Sequence, residues 1–330
     1  MRVTRNQLIE AARREVERRS ETNGLVAAYL IGSLVHDQAV LGGAADIDLV
    51  LVHDQPTPES REILGLSDEV HLDIAHHHRQ QYAQPRQLRL DPWLGPAIYD
   101  PLPLHDPLHF FEWAQASARG QFLRADHRAA RAAAFLERAR RLRAAIDVQR
   151  PWVSLFARAG VCGANAIATL AAQPASGRRR LVLLEAAAAR AGLPEAHAAL
   201  LRMLGAEAHP SPDLAGCVSA WARAFDAAGP LTAEPDLLPE RRAYYLGGFH
   251  AQLESDSPQA VLFTLLDTWE RTLATLDAFG QAAEHRPAWE EARAQLGLTD
   301  ELAAARLDEL EAYLDRLDAF LEDWSVRSGA

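Results

Sequence analysis

Three aspartates and a glycine–serine pair carry most of the chemistry this sequence can offer. Asp46 and Asp48 stand one residue apart at the head of the apolar run Leu49-Val50-Leu51-Val52, and Asp73 interrupts a second apolar run in "VHLDIA". Side chains on a strand alternate between its faces, so Asp46 and Asp48 point the same way. Two neighbouring carboxylates repel, and the arrangement becomes favourable when a divalent cation neutralises them. In the second run Val70, Leu72 and Ile74 share one face and His71 and Asp73 the other, so Asp73 joins the pair if the two strands are neighbours. Gly32 and Ser33 end a third apolar stretch, "AYLIGS". Glycine lets the backbone approach a bulky anion, and a serine hydroxyl with nearby amides holds phosphate oxygens where a helix begins. A phosphate site beside three carboxylates implies metal-assisted phosphoryl or nucleotidyl transfer.

These residues need a small sheet to hold them. Helical spacing of Leu8, Ala11, Ala12 and Val16 behind Thr4 predicts a first helix from Thr4 to about Ser20, stopped at Gly24. Strands are predicted over Leu25–Ile31, Asp46–His53 and Val70–Ala75, with a fourth at Gly95–Tyr99. The intervening "PTPESREILGLSDE" leaves room for a short helix. From about Leu108 the chain turns rich in Ala, Leu, Arg and Glu, with helices predicted over Arg124–Asp147, Trp152–Ala172, Leu214–Ala228, Ala260–Phe279 and Glu301–Trp324. A boundary near 108–120 thus divides an α/β part from an all-helical one.

Composition narrows the function classes. The 330 residues are 48 % apolar, enough for one large or two ordinary cores. The N-terminal "MRVTRNQLIEAARREVERR" is a charged helical pattern without a secretory apolar core, and no apolar run approaches the roughly 18–20 residues of a membrane span, so a cytoplasmic protein without membrane contact is expected. Cys162 and Cys217 are too few for a disulfide framework and read as buried thiols. Lysine is absent, which excludes Schiff-base and P-loop lysine chemistry. Residues 1–115 carry 10 Arg against 17 acids, 116–230 carry 16 against 8, and 231–330 carry 8 against 20, within an overall charge of −11. A whole-surface nucleic-acid binder is disfavoured. The histidines at 71, 76, 77 and 78 invite a zinc reading, but consecutive strand residues diverge and carboxylate-rich sites favour magnesium; His71, which faces the same way as Asp73, is the only one expected near the site. Arginines at 119, 124, 128, 131, 138, 140, 141 and 143 spread around a helix rather than forming one stripe, so most are expected to be solvated, with one or two near its start in reach of a triphosphate.

The succession "LIGS" (30–33), "ADIDLVLV" (45–52) and "HLDIA" (71–75) resembles the polymerase-β-type nucleotidyltransferase superfamily, and "AIYDP" (97–101) is similar to a segment of its aminoglycoside-modifying bacterial members. Ala45 stands where that pattern often has serine, and the stretch after Ser33 lacks a common Arg-Gly. The resemblance covers roughly 25–106 and implies an α+β chain: a small mixed-sheet nucleotidyltransferase domain at 1–112, then a helical substrate or accessory domain at 113–330. It implies Gly32 and Ser33 at the nucleotide phosphates, Asp46 and Asp48 as metal ligands, and Asp73 as a further ligand or the general base. The implied cofactor is Mg²⁺ or Mn²⁺, the co-substrate an NTP such as ATP, and the reaction transfer of AMP to a hydroxyl of a small-molecule acceptor with release of pyrophosphate. Two other readings stand beside it: transfer to tRNA or a protein side chain, and an inactive nucleotide-sensing module. The acidic 231–330 segment, with Glu240, Asp267 and Glu270, favours a cationic small acceptor, while the basic 116–230 segment favours RNA.

Overall fold

The computed structural model describes residues 4–21, 24–36, 38–171 and 173–330. The chain divides into two compact units, one of residues 1–123 with 243–248, the other of 124–242 with 249–330.

In the first unit, helix α1 (Arg5–Ser20) begins where the sequence signals it. Thr4 Oγ1 accepts from the Gln7 N–H at 3.3 Å while Gln7 Oε1 accepts from the Thr4 N–H at 2.8 Å, a reciprocal capping box. Six strands follow as β1 (Leu25–Leu30), β2 (Val40–Leu41), β3 (Ala44–His53), β4 (Arg61–Gly65), β5 (Val70–His78) and β6 (Leu102–His105), with short helices α2 (Pro85–Leu88) and α3 (Leu94–Tyr99) before β6 and α4 (Phe110–Arg119) after it. The sheet runs β4-β5-β3-β1-β6, with β2 paired to β3. Only β3 and β5 are parallel; β1–β3, β1–β6 and β4–β5 are antiparallel. The unit is α+β, as the sequence indicates.

Two predicted elements differ. The segment 95–99 is helical rather than extended, because Asp91 Oδ1 accepts the N–H groups of Trp93 and Leu94 at 2.8 and 2.6 Å and starts a turn that Pro96 continues. The fourth strand lies instead at Leu102–His105, on the sheet's edge, where Pro103 removes no needed ladder donor. The stretch after β3 forms no helix; it supplies β4, a hairpin partner of β5 closed where Leu66 and Ser67 donate to the Val70 carbonyl at 2.8 and 3.0 Å. The third predicted strand also continues three residues further, through the histidine run to His78.

Alternation along β3 and β5 sorts the core into two layers. Ile47, Leu49, Leu51, Leu72 and Ile74 face α1 and bury Leu8, Ile9, Ala12 and Val16. Val50 and Val52 face the other way, with Ala27, Tyr29, Tyr82, Ile98 and Phe111 beneath α2–α4. In this second layer a hydroxyl pair, Tyr29 Oη to Tyr82 Oη at 2.6 Å, continues to His77 Nδ1 at 2.7 Å.

The second unit's regular elements are all helices among its described residues: α5 (Ala125–Ala144), α6 (Val153–Ala171), α7 (Arg180–Ala191), α8 (Pro194–Met203), α9 (Leu214–Ala228), the ends of α10 (Arg242–Leu253), α11 (Leu262–Ala278), α12 (Arg286–Gln295) and α13 (Ala303–Ser328), with short 3₁₀ turns between some of them. Ala172, the predicted last residue of α6, lies outside the described residues. Contrary to the sequence expectation, α6 has the length and mean hydropathy, 1.4, of a membrane span; 89 % of that window is buried inside the protein, and it packs against α5, α7, α11 and α13 as a core helix. Its first N–H groups are satisfied from α11: Glu270 accepts from Val153 and Ser154 at 3.1 and 2.7 Å. Asp267 accepts from Ser154 Oγ at 2.6 Å and from Arg158 Nε at 2.5 Å.

Burial, reinforced by repulsion from His76, holds the His77 imidazole down at about 4 against an ordinary 6.5. Between those values the unfolded chain takes up a proton that the folded chain refuses, so stability is intact above pH 6.5 and falls as pH drops towards 4. About 3 kcal/mol of acid destabilisation over that interval should come from His77. Urea unfolding of the wild type and His77→Asn across this pH range checks it; equal pH slopes in the two proteins would refute the assignment.

Candidate metal centre

The site is assembled by a register. In the parallel β3–β5 pair Asp46 stands opposite His71 and Asp48 opposite Asp73, so four polar side chains form a two-by-two block. The block lies on the Tyr29 face of the sheet, at the head of β3 beyond Val50 and Val52. One oxygen each from Asp46, Asp48 and Asp73 lies within 4.8 Å of the others. Such an oxygen-only set is able to hold a metal ion. All three aspartates singled out in the sequence are therefore brought together.

Each is held by a different neighbour. Asp46 is 5 % exposed and its Oδ1 lies 3.0 Å from Nε2 of His71, itself 2 % exposed. The His71 ring meets the edge of Tyr244 at a centroid distance of 5.1 Å. Asp73 accepts both arms of Arg61, Nε at 2.7 Å and Nη2 at 2.5 Å. Asp48 lies under the turn that follows β1: the Ile31 N–H donates to its carbonyl at 3.0 Å. A Cβ on Gly32 would overlap Asp48 Oδ2 and sit 2.9 Å from its Cγ, and Gly32 has φ +73°. Both constraints demand glycine.

Gly32, Ser33 and Leu34 form one 3₁₀ turn, whose Leu34 is fully buried against the α1 side of the sheet. Arg5 of α1 pins the far end of that turn by donating Nε to the Leu34 carbonyl at 2.9 Å. Ser33 follows Gly32 in that turn.

Other sequence candidates lie elsewhere. His76 Nδ1 lies 3.0 Å from His53 Nε2, His77 meets Tyr82, and His78 Nε2 lies 3.1 Å from the Asp54 carbonyl, so the run diverges along β5. Tyr99 of "AIYDP" is on α3, stacked on Phe122 at 4.3 Å. Of the arginines at 119–143, Arg119, Arg124, Arg138 and Arg141 are exposed, whereas Arg131 is fully buried and the half-buried Arg140 and Arg143 bind acids of α13. Arg5, Arg61 and Tyr244 were missed from the sequence; each acts through a partner distant along the chain.

No protein-family model and no curated protein matches the sequence. Among solved structures the chain is similar to a nucleotidyltransferase-like protein from Exiguobacterium sibiricum 255-15, with 11 % identity, a TM-score of 0.28, and coverage of 97 % of this chain and 91 % of that one. A likeness that distant reaches neither the residues of the site nor their chemistry.

Gly32→Ala should force Asp48 off its present position. We expect it to cost about 1–3 kcal/mol in urea unfolding and to weaken Mn²⁺ binding about tenfold, measured by titration with electron paramagnetic resonance. Wild-type Mn²⁺ affinity in a folded Gly32→Ala variant would show that the turn does not shape the cluster.

Proposed function

We propose that the protein is a metal-dependent nucleotidyltransferase that moves a nucleoside monophosphate, AMP from ATP, onto a hydroxyl of a small molecule and releases pyrophosphate. One observation carries this reading: three carboxylates converge within 4.8 Å beside a glycine-dependent turn. Carboxylates packed this closely repel one another and any polyphosphate, and a cation bound among them would relieve that repulsion. Bound there, Mg²⁺ or Mn²⁺ would supply Lewis acidity to the transferred phosphoryl group and lower the pKa of the attacking hydroxyl.

The chain's own residues divide the work. Asp46 and Asp48 are the ligands of the cation, and Asp73 completes the set. His71 holds Asp46 in orientation from within the sheet. The Gly32–Leu34 turn offers backbone to phosphate oxygens, with the Ser33 hydroxyl beside it. A small acceptor is favoured over RNA by the net charge of −11, since a polyanion would have to approach an acidic protein without a counter-ion gain.

Incubation with each NTP and Mg²⁺ or Mn²⁺, followed by mass spectrometry, should reveal nucleotidylated hydroxylated small molecules together with pyrophosphate. Asp46→Asn and Asp48→Asn should each lower turnover at least about a hundredfold while leaving the fold intact, because removing one of several repelling carboxylates need not destabilise the metal-free protein. Full turnover in either variant would overturn the site. Labelled tRNA in place of a labelled small molecule would redirect the acceptor class.

A further inference from the structure

The carboxylate cluster contains a cation of its own. Arg61 comes from the edge strand β4, where it stands opposite Ala75 while Ile63 stands opposite Asp73, so Arg61 reaches Asp73 diagonally along the same face. Its fork engages both oxygens of Asp73, at 2.7 and 2.5 Å, the geometry in which arginine both neutralises and aligns a carboxylate. The Asp73 side chain is only 11 % exposed, whereas that of Arg61 is 34 % exposed. The arginine therefore sits on the solvent side of the carboxylate it holds.

The strand beneath it is anchored independently. Glu62, on the opposite face, pairs with Arg19 of α1 and lies 3.5 Å from His76 Nε2. The backbone of β4 is thus held through Glu62, and the Arg61 guanidinium is not what fastens the strand. A carboxylate has about four acceptor positions, and a bidentate guanidinium uses two, so Asp73 retains capacity for a metal while bound to Arg61.

We propose that Arg61 is the resident counter-ion and positioning residue of the cluster: it offsets carboxylate repulsion before a divalent cation arrives, competes with that cation by charge, and keeps Asp73 aimed at it. This inference rests on the proposed metal site and adds an opposition that a merely structural salt bridge lacks. Removing the guanidinium should tighten metal binding, because a competing positive charge is gone while Asp46 and Asp48 still hold the ion, and should slow turnover, because Asp73 loses its alignment.

The test is Mn²⁺ titration by electron paramagnetic resonance on the full chain, with pyrophosphate release at saturating Mn²⁺ as a second reading. Arg61→Gln should bind Mn²⁺ about threefold or more tighter and turn over about tenfold or more slowly. Arg61→Lys, which restores the charge without the fork, should return the affinity to the wild-type value and leave turnover low. Unchanged or weaker Mn²⁺ binding in folded Arg61→Gln would overturn the proposal, as would full turnover of Arg61→Lys, which decides the matter if the Gln variant does not fold. The outcomes separate the two claims: wild-type protein without Mn²⁺ binding that depends on Asp46 would remove the metal site itself, whereas intact Asp46-dependent binding with no response to Arg61 would remove this role alone.

Discussion

The parallel pairing of β3 with β5 is the constraint on which the site depends. A one-residue slip in that register would carry Asp73 to the opposite face of the sheet, into the layer of Leu49 and Leu72 beneath α1. The register is enforced from both sides, because the same strands bury Ile47, Leu49, Leu51, Leu72 and Ile74 on one face and Val50 and Val52 on the other. The apolar core thereby holds in place a cluster of like charges that would otherwise separate. Arg61, His71 and the Gly32 turn act on positions that the pairing has already fixed.

Parts of this were legible because they are local. The alternation around Asp46, Asp48 and Asp73 states which side chains share a face, and the Thr4–Gln7 capping box marks where α1 begins. The strand β4 was harder to see: five residues beginning Arg-Glu carry too little alternation to outweigh the proline- and serine-rich stretch before them. The exchange of a strand for a helix at 94–99 turned on Asp91, whose capping of two backbone N–H groups favours a helical turn over the extended chain suggested by Ile98 and Tyr99. The contacts of Arg61 with Asp73 and of Tyr244 with His71 have no local signature at all. They exist only once strands pair, or once a helix residue more than 170 positions away arrives.

Charge patterning misled in an instructive way. The basic 116–230 and acidic 231–330 segments look like two opposed surfaces, one suited to RNA and one to a cationic acceptor. Within the second unit they satisfy each other: Arg140 and Arg143 bind acids of α13, and Arg158 binds Asp267 of α11. Asp267 and Glu270, which the sequence offered as counter-charges for an acceptor, are committed to Arg158 and to the first turn of α6. A segment's charge sum describes its surface only when its partners lie outside the chain.

The first unit is not continuous along the chain, since residues 243–248 complete it. Gly247 shows how intimate that completion is: a Cβ on Gly42 would overlap the Gly247 carbonyl and lie 2.7 Å from its Cα. During synthesis at about 5–20 residues per second, the sheet and its carboxylates are made about 7–28 s before that segment is. For that interval the nascent sheet lacks Tyr244 against His71 and Gly247 against Gly42. His71, which stands against Asp46, gains the edge of Tyr244 only after most of the helical residues have been made.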